Sequence, residues 1–300
     1  MSEVLMPPQL IIKFDGYMSE GNRISLRTLA HTLPFLQRAV DKIVIYERQG
    51  IVGKGATLHQ ANYQYADLYL EQLETGSVIL PLVGNFISGV AAKFNSFMDD
   101  PYHETENLLA GKFSGFDARV DMTRSLISSG ALVPISHDEL ISKQDFVDRD
   151  YAQAAFLNDI NNMLSPLRSS LCAGDSITIT NADPSHSAKY YFDQNRSKAF
   201  AKVVREQRLA HPVKYLGRLD GLVNRGGTGF PYVGKFMCKT TKKERKLLVA
   251  SEADAFELNK HNLGSSEILI VACPLAVYGA FDPLAGDLVF IGFHNDRQTT

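Results

Sequence analysis

The last ninety residues constrain the fold most tightly. Runs at 213–223, 232–240, 246–250, 267–278 and 287–293 are rich in Val, Ile, Leu, Tyr and Phe and have the length of strands, and 252–262 carries a helical pattern. Turn formers separate them: Gly226-Gly227-Thr228-Gly229, residues 240–243, Gly264-Ser265 and Asp282-Pro283. The order is β-β-β-α-β-β. Five short strands with one helix between the third and fourth match an OB-like β-barrel, with a small SH3-like barrel as the competitor.

The preceding residues mix both periods. A strand at 9–15 and a turn at Gly16 lead to Leu26, Leu29, Leu33, Leu36, Val40 and Ile43, which recur at three- and four-residue steps as one buried helix face. Pro34 either kinks one long helix or lies in the first turn of a second one capped by Thr32. A strand at 62–73, with Tyr63, Tyr65 and Tyr69 on one face, a turn at Gly76-Ser77 and a strand at 78–83 complete a β-α-β-β beginning. Helical patterns follow at 86–98, 104–113, 121–132 and 138–171, the last in two pieces, then strands at 176–180 and 188–192 and a helix from an Asp193 cap to about Leu209. The expectation is an α+β domain over residues 1–211, closed by Pro212, and a small β-barrel domain over residues 212–300.

Charge is unevenly spread along the chain. The balance of 31 basic and 33 acidic residues gives −2, which excludes a chain that is basic throughout. Residues 193–246 nevertheless carry 14 Lys/Arg against 4 Asp/Glu, while 1–192 and 247–300 are net acidic. On the predicted helix, Lys198, Lys202 and Arg205 share one side, with Arg208 at its edge and Phe200, Val203 and Val204 largely opposite. Arg225, Lys235, Lys239, Lys242, Lys243, Arg245 and Lys246 follow on the first barrel strands and loops, beside the aromatics Tyr232 and Phe236. Aromatics beside basic loops are the usual composition of a single-strand nucleic-acid surface, so DNA or RNA is the first candidate partner. The alternative is a solvated face that meets an acidic surface of its own domain or of another subunit.

Motifs for chemistry are thin. Gly50 to Gly55 lacks the spacer and the Ser/Thr of a phosphate loop, His103-Glu104 has no second His four residues on, and Asp145, Asp148 and Asp150 fit a solvated helix approach. Asp183, His186 and Lys189 fit a polar turn. Asp220 with Glu244 and Lys246 is the most specific enzymatic suggestion, a metal-dependent nuclease in which two carboxylates and a lysine act on a phosphodiester. No motif calls for a cofactor or a metal. Cys172, Cys238 and Cys273 are never spaced as C-x-x-C, so neither a disulfide framework nor a zinc cluster is expected, and a reducing cytoplasm fits best. The first ten residues do not read as a secretory signal, and the uncharged stretch 75–92 is broken by Pro81, Gly84 and Gly89, so a buried strand and core helix are expected there rather than a membrane span.

Phe14-Asp15-Gly16, Ile24-x-Leu26-x-x-Leu29 and Leu73-x-x-Gly76-Ser77-Val78, with a C-terminal barrel, resemble an uncharacterised bacterial and prophage family that pairs an N-terminal α+β domain with a small β-barrel. The resemblance implies a prokaryotic or phage origin and a part in an anti-phage or mobile-element module, and transfers no catalytic residue. Val78 departs from the aromatic usual after Ser in that family. The leading expectation is a non-catalytic nucleic-acid-binding or assembly component. A subunit that docks an acidic partner and forms a homo-oligomer, and the nuclease, are the alternatives.

Overall fold

The computed structural model describes residues 9–53, 55–70, 78–83, 89–112, 116–142, 144–169, 174–182, 187–226, 230–262, 266–277 and 280–294. The turns expected at Gly76-Ser77, Gly227-Thr228-Gly229 and Gly264-Ser265, the pair Asp183 and His186, and Cys172 lie outside them. The chain divides into two compact units, residues 1–113 with 148–206, and residues 114–147 with 207–300. This corrects the continuous division at 211/212. The segment 114–147 belongs with the barrel because its own apolar side chains are buried there, as described below.

The first unit is built on a five-stranded antiparallel sheet ordered β2-β3-β1-β5-β6: β1 (Gln9–Asp15), β2 (Tyr69–Leu70), β3 (Val78–Val83), β5 (Ser176–Asn181) and β6 (Ala188–Phe192). Leu10, Ile12 and Phe14 on alternate positions of β1 are buried, as period two requires. Helix α1 (Leu26–Gln49) is one continuous helix with Pro34 inside it. Ser25 caps it by accepting from the Thr28 amide, and Gly50 ends it in the left-handed conformation (φ 71°). The patterns at 86–98 and 104–113 correspond to a single helix, α2 (Val90–Leu109), whose Phe94 meets Phe156 of α5 (Gln144–Met163) edge-on at 5.1 Å.

Of the strand expected at 62–73, residues 62–68 do not form one, and residues 71–73 lie outside the described residues. Residues Gln60–Tyr65 make a 3₁₀ turn and, of the described residues there, Tyr69 and Leu70 alone pair in the sheet. Side chains of α1 take the backbone groups that a strand would offer a neighbour: Gln37 accepts from the Leu68 amide (3.1 Å) and donates to the Ala66 carbonyl (2.8 Å). Helix α6 (Gln194–Arg205), capped by Asp193, is also shorter than expected. Its anticipated last turn is instead β7 (Gln207–Leu209), which pairs with β11 (Ile268–Val277).

In the second unit β8 (Val213–Asn224), β9 (Tyr232–Cys238), β10 (Glu244–Val249), β12 (Leu288–Phe293) and β11 close on one another in the order 8-9-10-12-11-8, so that β8 also pairs with β11. All neighbours are antiparallel except β10 and β12. Helix α7 (Glu252–Asn259) connects the third and fourth barrel strands. This is the OB-like order rather than the SH3-like one. Val213, Tyr215, Leu219, Phe236, Leu247, Val249, Ile270 and Phe290 fill the interior, joined by Leu140 of α4 (His137–Ser142). β4 (Ile135–Ser136) extends the barrel wall in parallel with β8, and α3 (Phe116–Ser128) lays Val120 and Ile127 on the outward residues Leu248, Val271, Val289 and Ile291. The barrel wall is therefore buried on both sides there, and residues 114–147 supply the cover. Among the described residues no helix is long and apolar enough to cross a membrane.

Gly217 marks the tightest approach of two barrel strands. A Cβ there would run into the Met237 carbonyl oxygen and come within 2.6 Å of the Phe236 ring. Neither neighbour can yield, since one is ladder backbone and the other a core aromatic. Gly217→Ala is expected to lower stability by at least about 2 kcal/mol in urea denaturation; a loss below about 0.5 kcal/mol would mean that the strands stand further apart than the ladder implies.

Candidate nucleic-acid interface

The basic hairpin of β9 and β10 obeys strict alternation. Arg245 faces Phe236 across the ladder, Lys246 faces Lys235, and Glu244 faces Met237. One set of these pairs points into the barrel and the next points out. Arg245 (1% exposed) and Phe236 (0%) are interior, whereas Lys235, Glu244 and Lys246 are exposed on the outer wall. Tyr232 is half-buried and packs on the interior cluster.

These positions correct the expected interface at two residues. Phe236 belongs to the interior packing and offers no ring face for base stacking, while Tyr232, at the start of β9, packs on the interior cluster and stays half open to solvent. Arg245 donates from Nε to the Gly286 carbonyl (2.8 Å) and from its terminal nitrogens to the carbonyls of Pro283 (3.2 Å) and Asp282 (3.4 Å), with its guanidinium 4.9 Å from the centre of the Tyr215 ring. A guanidinium committed in this way is not available to phosphate.

Several of the remaining cations are neutralised locally. Lys235 pairs with Glu244 (3.4 Å), Lys239 with Glu267 (2.6 Å) and Lys246 with Asp287 (3.5 Å). Asp220 lies at a bulge in β8 and receives two hydrogen bonds from Arg218 (2.5 and 3.2 Å), which hold its carboxyl below the usual range, helped by the nearby charge of Lys235. Asp220, Glu244 and Lys246 thus sit in a net of ion pairs rather than around an open site, and no group of three metal-ligating side chains occurs among the described residues.

What stays open is the hairpin tip. Residues 238–243 form a tight turn in which the Cys238 amide donates to the Lys243 carbonyl (3.1 Å) and the Lys242 amide to the Cys238 carbonyl (3.0 Å). Lys242 and Lys243 are exposed and have no ion-pair partner among the described residues, and the same holds for Arg225 in the loop before β9. Lys198, Lys202 and Arg205 are exposed on α6, in the first unit. Arg208 is half-buried on β7, opposite Ala276, and does not continue that helical stripe. Sequence reading missed Arg168, whose guanidinium is held by neutral acceptors, Asn161 Oδ1 (3.0 Å), the Asn161 carbonyl (2.8 Å) and Ser197 Oγ (3.2 Å). Burial, and then the charge of Arg205, push it below the usual arginine range.

A second grouping closes the same end of the barrel. His137 Nε2 lies 3.1 Å from the Pro283 carbonyl, which can only accept, so that nitrogen carries a proton and Nδ1, 3.5 Å from Cys238 Sγ, is left to share one with the thiol. The His137 ring also lies tilted against that of the buried Tyr215, with centroids 4.6 Å apart. Sequence gave no signal for this pair, since 101 residues separate its members. Burial raises the Cys238 thiol, but hydrogen bonds with His137 and Thr241 outweigh it and bring the thiol down to about 6; at Cys273, burial alone pushes the thiol up to about 12. No protein-family model matches the chain, and no curated protein or solved structure shows significant similarity to it.

The Cys238 shift has a defined sign. The folded state holds a thiolate at a pH where the unfolded chain still holds the thiol, so its contribution to stability grows as pH rises from about 6 toward the ordinary cysteine value near 8.5 and is lost as pH falls through about 6. The stability difference between the native chain and Cys238→Ala should therefore widen between pH 6 and about 8.5. A difference independent of pH would show that the pair is held neutral.

Proposed function

We propose that the chain is a non-catalytic nucleic-acid-binding protein whose barrel grips phosphates electrostatically through the β9–β10 hairpin. One observation carries this reading. Lys242 has φ 56°, the one left-handed residue other than glycine among those described, next to a second exposed lysine, at a turn position that Gly or Asn fills with less strain. A strained lysine beside another lysine at an exposed tip is expensive both in backbone strain and in charge repulsion, and contact with a polyanion offsets both. Arg225 adds a third exposed barrel cation that has no ion-pair partner among the described residues. With its aromatics turned inward, the barrel is expected to bind the phosphate backbone and not to read bases.

Within the same proposal, Cys238 and Cys273 as buried free thiols support a reducing, cytoplasmic setting, and a place in an anti-phage or mobile-element assembly follows from the family resemblance. The exposed stripe of Lys198, Lys202 and Arg205 supports a further phosphate contact on the first unit.

Fluorescence anisotropy with labelled single-stranded and duplex oligonucleotides tests the proposal. Binding should weaken steeply with salt, each neutralised phosphate contributing a log–log slope of about −0.9 on duplex and about −0.7 on single strand. Reversing both tip charges, Lys242→Glu with Lys243→Glu, should cost more than about tenfold in affinity at low salt and flatten the slope by about two phosphates. Lys246→Ala, which removes a lysine already paired with Asp287, should change binding far less. A salt-independent affinity, or an unchanged one in the double reversal, would reject the proposal.

A further inference from the structure

The second unit contains a groove that the hairpin does not touch. It runs between the 124–134 segment and the outer barrel wall, has a cavity volume of about 670 Å³, and falls within the range of small-molecule sites. Its walls are apolar: Ile127 from α3, Leu132 and Val133 from the following loop, and Val271 and Ile291 from β11 and β12. Among the described residues its charged lining residues are Arg124 and Lys214, with His294 just after β12, and no Asp or Glu among them lines it.

The two cations differ in what they are free to do. Arg124 is committed to the fold, donating from Nε to the Ile291 carbonyl (2.8 Å) and from a terminal nitrogen to Asp254 (2.5 Å), with Asp121 at 3.7 Å. It works as a post that holds α3 against the barrel. Lys214 is half-buried, sits on β8 between Ser136 of β4 and Val271 of β11, and has no carboxylate partner among the described residues. An ammonium at an apolar groove without a carboxylate beside it among the described residues carries an uncompensated charge, and an incoming anion supplies the counter-charge.

We propose that this groove binds a small amphiphilic anion, a carboxylate or phosphate ester carrying an apolar body, with Lys214 taking the head group. The apolar lining argues for the body, because a bare inorganic anion would leave the exposed Val133 and the half-buried Ile127 and Leu132 facing water. The absence of acidic lining residues argues for the sign of the head. The site is independent of the proposed nucleic-acid contact, since none of the hairpin lysines lines it.

Calorimetric titration of the full chain with decanoate, decanol and inorganic phosphate tests the assignment. Decanoate should bind with one-to-one stoichiometry and at least tenfold more tightly than either decanol or phosphate. Lys214→Arg, which keeps the charge, should hold decanoate within threefold of the native affinity, and Lys214→Met, which keeps the apolar stem, should lose more than tenfold while leaving decanol unchanged. No decanoate binding to the native chain, equal binding of decanol or phosphate, or a Lys214→Met variant that binds decanoate as the native chain does would overturn the proposal. Should Lys214→Met fail to fold, the native decanoate-to-decanol ratio and the Lys214→Arg affinity still decide it.

Discussion

A guanidinium moved out of water must be met by acceptors on the side from which it was taken, and Arg245 is met by three carbonyls of one turn, those of Asp282, Pro283 and Gly286. Hydrogen bonds from a charged donor are worth about 1.5–3 kcal/mol each, and leaving such a group unmet inside the barrel would cost far more. The turn itself is made to receive it. Asp282 Oδ1 accepts from the amides of Leu284 and Ala285 at 2.8 and 3.0 Å, and the Gly286 amide closes back on the Asp282 carbonyl at 2.9 Å. Arg245 thereby joins the start of β10 to the entry of β12, the one parallel pair in the barrel, and the pair that no short hairpin can connect.

The same turn organises the neighbouring polar groups. Pro283 presents its carbonyl both to Arg245 and to His137, and His137 then shares a proton with Cys238 at the end of β9. One end of the barrel is thus closed by a polar network in which α4, the 282–286 turn and two strands meet. Segment 114–147 is held at this end by His137, and along the wall by Arg124 and the apolar side chains of α3. That explains how residues placed before the last elements of the first unit come to fold with the barrel.

The basic residues divide between two physical roles. Those of inward parity, above all Arg245, are structural; those of outward parity are largely paired along the wall, and the ones without a partner among the described residues are Lys242 and Lys243 at the hairpin tip, with Arg225 and Lys214 elsewhere on the barrel. Total charge along the sequence overstated the interface because a count does not register that Lys235, Lys239 and Lys246 each face a carboxylate from a neighbouring strand or loop. The uncompensated charge that remains among the described residues is smaller and more local than the local excess of cations suggests.

Local pattern was sufficient for the barrel. Its five strands, the helix between the third and fourth, and the alternation along each are legible because period two and turn formers are short-range signals. Arg245 shares the inward parity of Leu247 and Val249 only because β10 begins two residues earlier than the sequence pattern indicates, and its burial depends on acceptors 37 to 41 residues away that no local window contains. The missing strand over 62–68 has the same cause, for Gln37 lies 31 residues from the Leu68 amide it captures. Sequence by itself determined the elements of the barrel, their order and the sign of the charge each one carries. Tertiary structure decided which charges are buried, which are cancelled and which face solvent, because the cost of burying or freeing a charge is set by partners that meet only when distant parts of the chain have folded together.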